Sequence, residues 1–339
     1  MRGICAVGAT CSQYETEDSR VRIHVTGATG FVGRHFVAEA RRRGHEVICL
    51  VRSLDPRLDE SSQIEVGDIA ERTDWSEAVE GADAVVHLAA RVHVMHEQSG
   101  DLDALYSRVN VEPTIALARA CAAVGVRRFL FMSSIKVNGE RTAGEPFSTS
   151  SIPAPVDAYG RSKFLAEQKL TALARDRHLS IAILRPTVVY GPGVGGNIRR
   201  IAGAVRRGMP LPLGSIRNAR TMVAVDNLVT GMLAALEVDF DSARVFLLGD
   251  PTPLSTRQLA EYLAEGLGTR ARLWKVPVRL LRLGATVLGR GADAARLVED
   301  LVVEPDWDAL GVASDHLRST RSAMSELGRS LATSVRRGN

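Results

Sequence analysis

The chain has 339 residues, 45% of them hydrophobic and 24% charged, with a net charge of +4. That balance fits one large folded unit, alone or with a smaller lobe, and argues against general disorder. Of its 43 basic residues only Lys136, Lys163, Lys169 and Lys275 are lysines, and the arginines are spread along the chain rather than massed, which argues against a nucleic-acid surface.

Residues 1–20 hold Glu15, Glu17 and Asp18 without an apolar period or a secretory pattern, and are expected to be an extension outside the fold. From Val21 onward strands and helices alternate. Arg22–Thr26 reads as a buried strand and residues 31–43 as a helix closed by Gly44. Strands follow over Glu46–Val51 and residues 64–66, then a short helix over 75–80 and a strand over 84–88. Residues 101–124 read as one long helix, 128–133 as a strand, 157–175 as a helix and 180–184 as a sixth strand. Short apolar strands separated by helices predict an α/β fold, a doubly wound parallel sheet covered on both faces. After Pro186 the rhythm breaks at Gly191-Pro192-Gly193 and Gly195-Gly196. Helices are predicted over 197–207 and 228–236, and strands over 220–225 and 244–248. The expected division is a Rossmann domain over 21–186, a smaller lobe mainly over 187–303 with some elements returning to the sheet, and an unassigned tail over 304–339.

Cys5, Cys11, Cys49 and Cys121 form no C-x-x-C pair, so neither a metal site nor a disulfide framework is expected, and a reducing cytoplasm fits. The apolar stretch 276–288 is interrupted by Arg279 and Arg282 and is too short to span a bilayer. It reads as a surface or lid helix, with peripheral membrane contact as a second reading.

Two motifs carry chemistry. Thr26-Gly27-Ala28-Thr29-Gly30-Phe31-Val32-Gly33 follows a predicted strand and opens a helix. Gly27 permits the tight turn, Gly30 lets the backbone approach a pyrophosphate, and Gly33 allows close helix–strand packing. The helix N-terminus then presents N–H groups and a positive dipole to phosphates. Tyr159-Gly160-Arg161-Ser162-Lys163 places a phenol and an ammonium four residues apart on one helical face. A free phenol titrates too high to act as a base at neutral pH, and a nearby ammonium is expected to lower it. Such a phenol can exchange a proton with a hydroxyl while hydride moves to or from a nicotinamide. Ser133 and Ser134 end the fifth strand, where open parallel sheets place ligands, and Ser134 is the candidate to bond the reacting oxygen.

Together these marks resemble the extended short-chain dehydrogenases/reductases, the NAD-dependent epimerase/dehydratase family. The resemblance covers roughly residues 21–268. Gly67-Asp68-Ile69 resembles the segment that contacts adenine, and His87-Leu88-Ala89-Ala90 the cofactor segment of the fourth strand. Asn110 matches a structural Asn, and Leu184-Arg185-Pro186 through Gly193 the exit of the sixth strand. Arg220 before Val225-Asp226-Asn227-Leu228 resembles the segment whose Arg grips a nucleotide diphosphate. Residues 133–140 and 91–95 are similar to a bacterial subgroup of UDP-glucose 4-epimerase-like proteins that includes UDP-hexosamine 4-keto reductases.

The resemblance implies Ser134, Tyr159 and Lys163 as catalytic residues. It implies a cofactor held by Gly27, Gly30, Phe31, Val32, Gly33, Arg52, Asp68, Ile69, Leu88, Ala89, Ala90 and Pro186, besides Tyr159 and Lys163. Arg220 and Asn197 would hold a UDP-linked sugar, and a homodimer through two long helices is implied. Ile135 and Lys136 replace the Asp-Glu of sugar dehydratases, and Ile has no proton to give, which argues against dehydration. Many 4-epimerases carry Tyr where Asn138 stands, and Pro113 replaces the usual Gly. Val51 fills the place of the carboxylate that bonds the NAD ribose, and Arg52 follows it. An arginine there can pair with a 2′-phosphate, which favours NADP over NAD. The favoured expectation is an NADPH-dependent 4-keto reductase of a UDP-deoxyhexosamine, ahead of a UDP-hexose 4-epimerase with NAD. A cofactor-sensing protein without turnover is the distant third.

Overall fold

A computed structural model describes residues 20–336, apart from residues 73, 92–100, 178, 288 and 290. Residues 1–19 of the expected extension, and 92–95 of the subgroup segment, lie outside the described residues.

Among the described residues nine strands run in chain order: β1 (Arg22–Thr26), β2 (Glu46–Val51), β3 (Gln63–Glu65), β4 (Ala84–His87), β5 (Arg128–Met132), β6 (Ser180–Pro186), β7 (Val188–Tyr190), β8 (Met222–Ala224) and β9 (Ala243–Leu248). Seven form one parallel sheet of order β3-β2-β1-β4-β5-β6-β9, and β7 and β8 pair separately. The doubly wound parallel sheet predicted from the apolar strands is therefore present. Its last strand, β9, comes from the segment assigned mainly to the lobe.

The described residues also form eleven α-helices: α1 (Phe31–Arg42), α2 (Ser76–Val79), α3 (Leu102–Asn110), α4 (Glu112–Val124), α5 (Ala158–Arg177), α6 (Gly196–Arg206), α7 (Val225–Glu237), α8 (Thr256–Gly266), α9 (Val278–Val287), α10 (Gly291–Val298) and α11 (Thr320–Arg336). Alternate strand residues point to opposite faces. Val25, Val47, Cys49 and Leu184 pack with Phe36 and Val37 of α1 and Leu228 and Met232 of α7. Ile48, Leu50, Phe129 and Ile181 pack on the other face with Leu117 of α4 and Leu170 of α5. Both faces are covered, which is why the strands read as unbroken apolar runs.

The single helix predicted over 101–124 is two helices, α3 and α4, meeting at Val111. Pro113 lies in the first turn of α4. Proline lacks an N–H and clashes with the carbonyl four residues back, so it starts a helix but does not continue one. The break leaves Asn110 at the junction, where its side chain bonds the N–H and C=O of Arg91 at 2.8 and 3.1 Å.

The tail left unassigned from sequence packs into the fold over residues 304–333. Trp307 is buried and its indole N–H donates to the Gly249 carbonyl at 2.8 Å. Helix α11 lies on α8, where a Cβ on Gly266 would meet the Ser325 carbonyl oxygen at 1.8 Å. Backbone approach that close needs glycine.

Candidate active site

The strand order reverses between β1 and β4, which opens a crevice at the C-terminal ends of the strands. A cavity of about 540 Å³ occupies it. Gly27, Arg52, Asp68, Ile69, Ala89 and Ala90 line this cavity, together with Thr26, Thr29 and Arg91. Gly30 caps α1, and Phe31, Val32 and Gly33 form its first turn. No side chain caps that helix, which leaves its first N–H groups for an anion. Gly27 has φ +68°, and a Cβ there would lie 2.7 Å from the Ala89 nitrogen. A Cβ on Gly33 would lie 2.2 Å from the Gly27 carbonyl oxygen. The turn is thus packed as tightly as a dinucleotide cradle requires, and the cavity fits a cofactor of that class. Leu88 is tied to β1 through its N–H to the Thr26 carbonyl at 3.2 Å. Pro186 is buried at the end of β6, paired with Leu248.

Ser134 follows β5 and caps the 3₁₀ turn Ile135–Val137, its hydroxyl accepting from the Lys136 N–H at 3.3 Å. Tyr159 and Lys163 occupy the first two turns of α5. Tyr159 makes an edge contact with Tyr106, ring centroids 6.3 Å apart, and the Ser134 side chain lies near enough to act on its phenol. The three predicted catalytic residues are therefore brought together at the end of β5.

The electrostatics differ from the expectation in one respect. Burial first, then Asp157 and Tyr106, push the Tyr159 phenol up, and the Ser134 side chain pulls it down. The expected depression by Lys163 is not among these influences. The reason is geometric: the Lys163 ammonium donates to the Met132 carbonyl at 2.8 Å and lies 5.9 Å from the centre of the Tyr159 ring. Burial lowers Lys163 to about 7, against an opposing pull from Glu167.

Arg220 and Asn197 lie outside this grouping. Arg220 is half-buried and donates to the Glu299 carbonyl at 3.0 Å. Asn197 is exposed in the first turn of α6. Ile135 is buried in the core, and Lys136 pairs with Asp157 and with Glu140, the latter at 3.0 Å. Sequence reading did not single out Glu167, Asp157 or the side chain of Arg185. Glu167 had a signal, since it continues the four-residue spacing of Tyr159 and Lys163 along α5.

The parallel sheet, the glycine turn and the grouping of Ser134, Tyr159 and Lys163 define an extended short-chain dehydrogenase/reductase. Residues 23–249 match the NAD dependent epimerase/dehydratase family, and the chain belongs to it. It is 38% identical over 284 residues to a UDP-glucose 4-epimerase of Vibrio cholerae, spanning 83% of this chain and 87% of that protein. It is 29% identical over 257 residues to a 2-alkyl-3-oxoalkanoate reductase of Stenotrophomonas maltophilia, spanning 73% and 76%. Among solved structures it is similar to MoeE5 in complex with UDP-glucuronic acid and NAD, at TM-score 0.73 and 26% identity over 92% of this chain and 99% of that one.

Proposed function

We propose that the chain is a nucleotide-sugar 4-epimerase that takes a UDP-linked hexose or hexosamine and uses NAD. The observation that carries this reading is the meeting of Ser134, Tyr159 and Lys163 at the end of β5. Family membership and the Vibrio cholerae relative support it. Reduction of a UDP-4-keto-deoxyhexosamine, favoured from sequence alone, becomes the second reading, kept because Arg52 stands at the cofactor cavity.

A dinucleotide held at Gly27, Gly30 and Gly33 supplies the hydride acceptor and donor for the sugar C4. Ser134 orients the C4 oxygen. Tyr159 takes the C4 hydroxyl proton on oxidation and returns it on reduction. Lys163 would hold the nicotinamide ribose, and would favour the phenolate only on leaving the Met132 carbonyl. Lys136 pairs with the Asp157 carboxylate, which ranks after burial among the influences that keep Tyr159 protonated. Arg220 holds the diphosphate in this reading, with Asn197 as a weaker contributor. Ile135 offers no proton, in keeping with epimerisation or reduction rather than dehydration. A cytoplasmic homodimer joined through α4 and α5 completes the proposal.

The test is to incubate the protein with UDP-glucose and NAD and follow the sugar by proton NMR. Conversion to the C4 epimer without net cofactor reduction supports the epimerase. NADPH consumption with a 4-keto sugar, and no interconversion, overturns it in favour of the reductase. Cofactor binding with neither reaction puts the sensing protein ahead of both enzymes.

A further inference from the structure

Helix α9 and the segment before it form a surface that the sugar chemistry does not use. No residue of α9 is buried. Leu280, Leu283 and Val287 are 59%, 62% and 79% exposed, and Trp274 is 64% exposed. The three aliphatic residues are spaced i, i+3, i+7 and share one helical face. The inner side of α9 borders an apolar groove of about 350 Å³, shared with Leu213, Ile216 and Leu297.

The segment that carries this face is basic in sequence. Between Glu265 and Asp293 the sequence carries Arg270, Arg272, Lys275, Arg279, Arg282 and Arg290, and no acidic residue. Arg282 lies 3.5 Å from Glu299 and remains 54% exposed. A second copy of this chain would bring the same cations face to face, so charge disfavours self-association here. A narrow aliphatic stripe flanked by cations, with an exposed tryptophan beside it, matches the physics of a helix lying in a membrane interface.

We propose that α9 and the Trp274 segment form a docking face for an anionic bilayer. Leu280, Leu283, Val287 and Trp274 enter the headgroup region while the cations meet lipid phosphates. Helix α10 leads toward Glu299, whose carbonyl accepts from Arg220, so the docking face belongs to the same lobe as Arg220. This inference is independent of which sugar the site accepts.

The experiment is sedimentation of the full chain with vesicles of phosphatidylcholine alone or with about a third phosphatidylglycerol. Binding is expected only to the anionic vesicles, and is expected to fall with salt. Trp75 and Trp307 are buried, so a blue shift of tryptophan emission on binding reports Trp274. Removing one cation weakens partition about fivefold, and Lys275→Ala with Arg279→Ala about 30-fold. Leu283→Asp with Val287→Asp abolishes binding while NAD affinity and melting temperature stay at wild-type values. Equal binding to both vesicle types, or binding to neither, overturns the proposal. Lipid-free, concentration-dependent self-association that Leu283→Asp removes also overturns it, and assigns the face to a second copy.

Discussion

Glu167 and Arg185 form a buried ion pair one helical turn beyond Lys163. The guanidinium meets the carboxylate at 2.5 and 3.0 Å, with the two side chains 5% and 4% exposed for Arg185 and Glu167. Ser133 donates its hydroxyl proton to the same carboxylate, and Asn138 accepts from Arg185 at 3.0 Å. Breaking one half of such a pair leaves the other charge buried. Glu167→Gln is therefore expected to cost about 3–5 kcal/mol of stability. Adding Arg185→Met is expected to recover part of that loss. Urea unfolding of the three proteins measures both, and a wild-type midpoint for Glu167→Gln would mean the pair contributes nothing.

The network shows where sequence reading stops. The apolar strands, the glycine turn and the four-residue Tyr159/Lys163 spacing are local patterns, and they appear where the residues indicate. Glu167 and Arg185 are 18 positions apart, on a helix and a strand. Nothing local says that they meet, although a lone Arg after Ile183-Leu184 is a charge in a buried strand and thus needs a partner. Asn138 reads as a departure from a sugar-facing Tyr, yet it is buried and bonded to that arginine. Residues 304–333 carry no pattern that assigns them, and their packing rests on Trp307 and on the close approach of α8 and α11, contacts that exist only in three dimensions.

Tyr159→Phe is expected to remove most turnover and leave cofactor affinity nearly unchanged. The ring stays to meet Tyr106, and only the proton-bearing oxygen is lost. General acid–base transfer contributes roughly 10²–10⁴-fold. Steady-state rates with cofactor titration in parallel make the comparison. A variant that keeps more than about half of wild-type turnover would remove Tyr159 from the chemistry.

Lys163 gives the fold a pH dependence of definite sign. Its folded value is about 7 against an ordinary 10.5, so between these values the unfolded chain binds the extra proton. Stability therefore rises with pH across that window, and is lost as pH falls toward 7. From pH 7 to about 8.5 the gain is on the order of 1.5 kcal/mol. Above that range the buried thiols of Cys49 and Cys121, pushed up by burial, act in the opposite direction. The buried histidines, with His87 held near 3, act only at lower pH. Urea titrations at several pH values are expected to show the rise in wild type and a flat line in Lys163→Met. The same slope in both proteins would contradict the assignment.

Trp307→Ala tests the C-terminal segment. The indole is 4% exposed and shares one core cluster with Leu248 and Leu228. Its loss opens a cavity under α7 and removes the bond to Gly249. Truncations of this size cost about 3–5 kcal/mol. Calorimetry is expected to show a clear fall in melting temperature, while an unchanged transition would mean that the tail packs independently of the sheet.

The last prediction decides between the two functional readings through the cofactor. Val51 is buried at the end of β2, so no carboxylate stands there to bond a ribose hydroxyl. Arg52 follows it, 75% exposed, with its guanidinium 3.6 Å from the Asp68 carboxylate. Both side chains line the cavity. A 2′-phosphate arriving at Arg52 would compete with Asp68 and be repelled by it. An epimerase returns its hydride within each cycle and has no need of a pool of NADPH, whereas a reductase consumes one reduced cofactor per turnover. Under the epimerase reading, wild type binds NADH at least as tightly as NADPH. Asp68→Asn removes one like charge at an exposed site, worth about 1 kcal/mol, and is expected to tighten NADPH about fivefold. Adding Arg52→Ala removes that gain, since a charge-assisted bond at a wet, salt-screened site is worth roughly 10-fold at its lower end. Fluorescence titration of both cofactors against wild type, Asp68→Asn, the double variant and Arg52→Ala measures each step. A wild-type preference for NADPH of about tenfold or more, lost in Arg52→Ala, would place the reductase first.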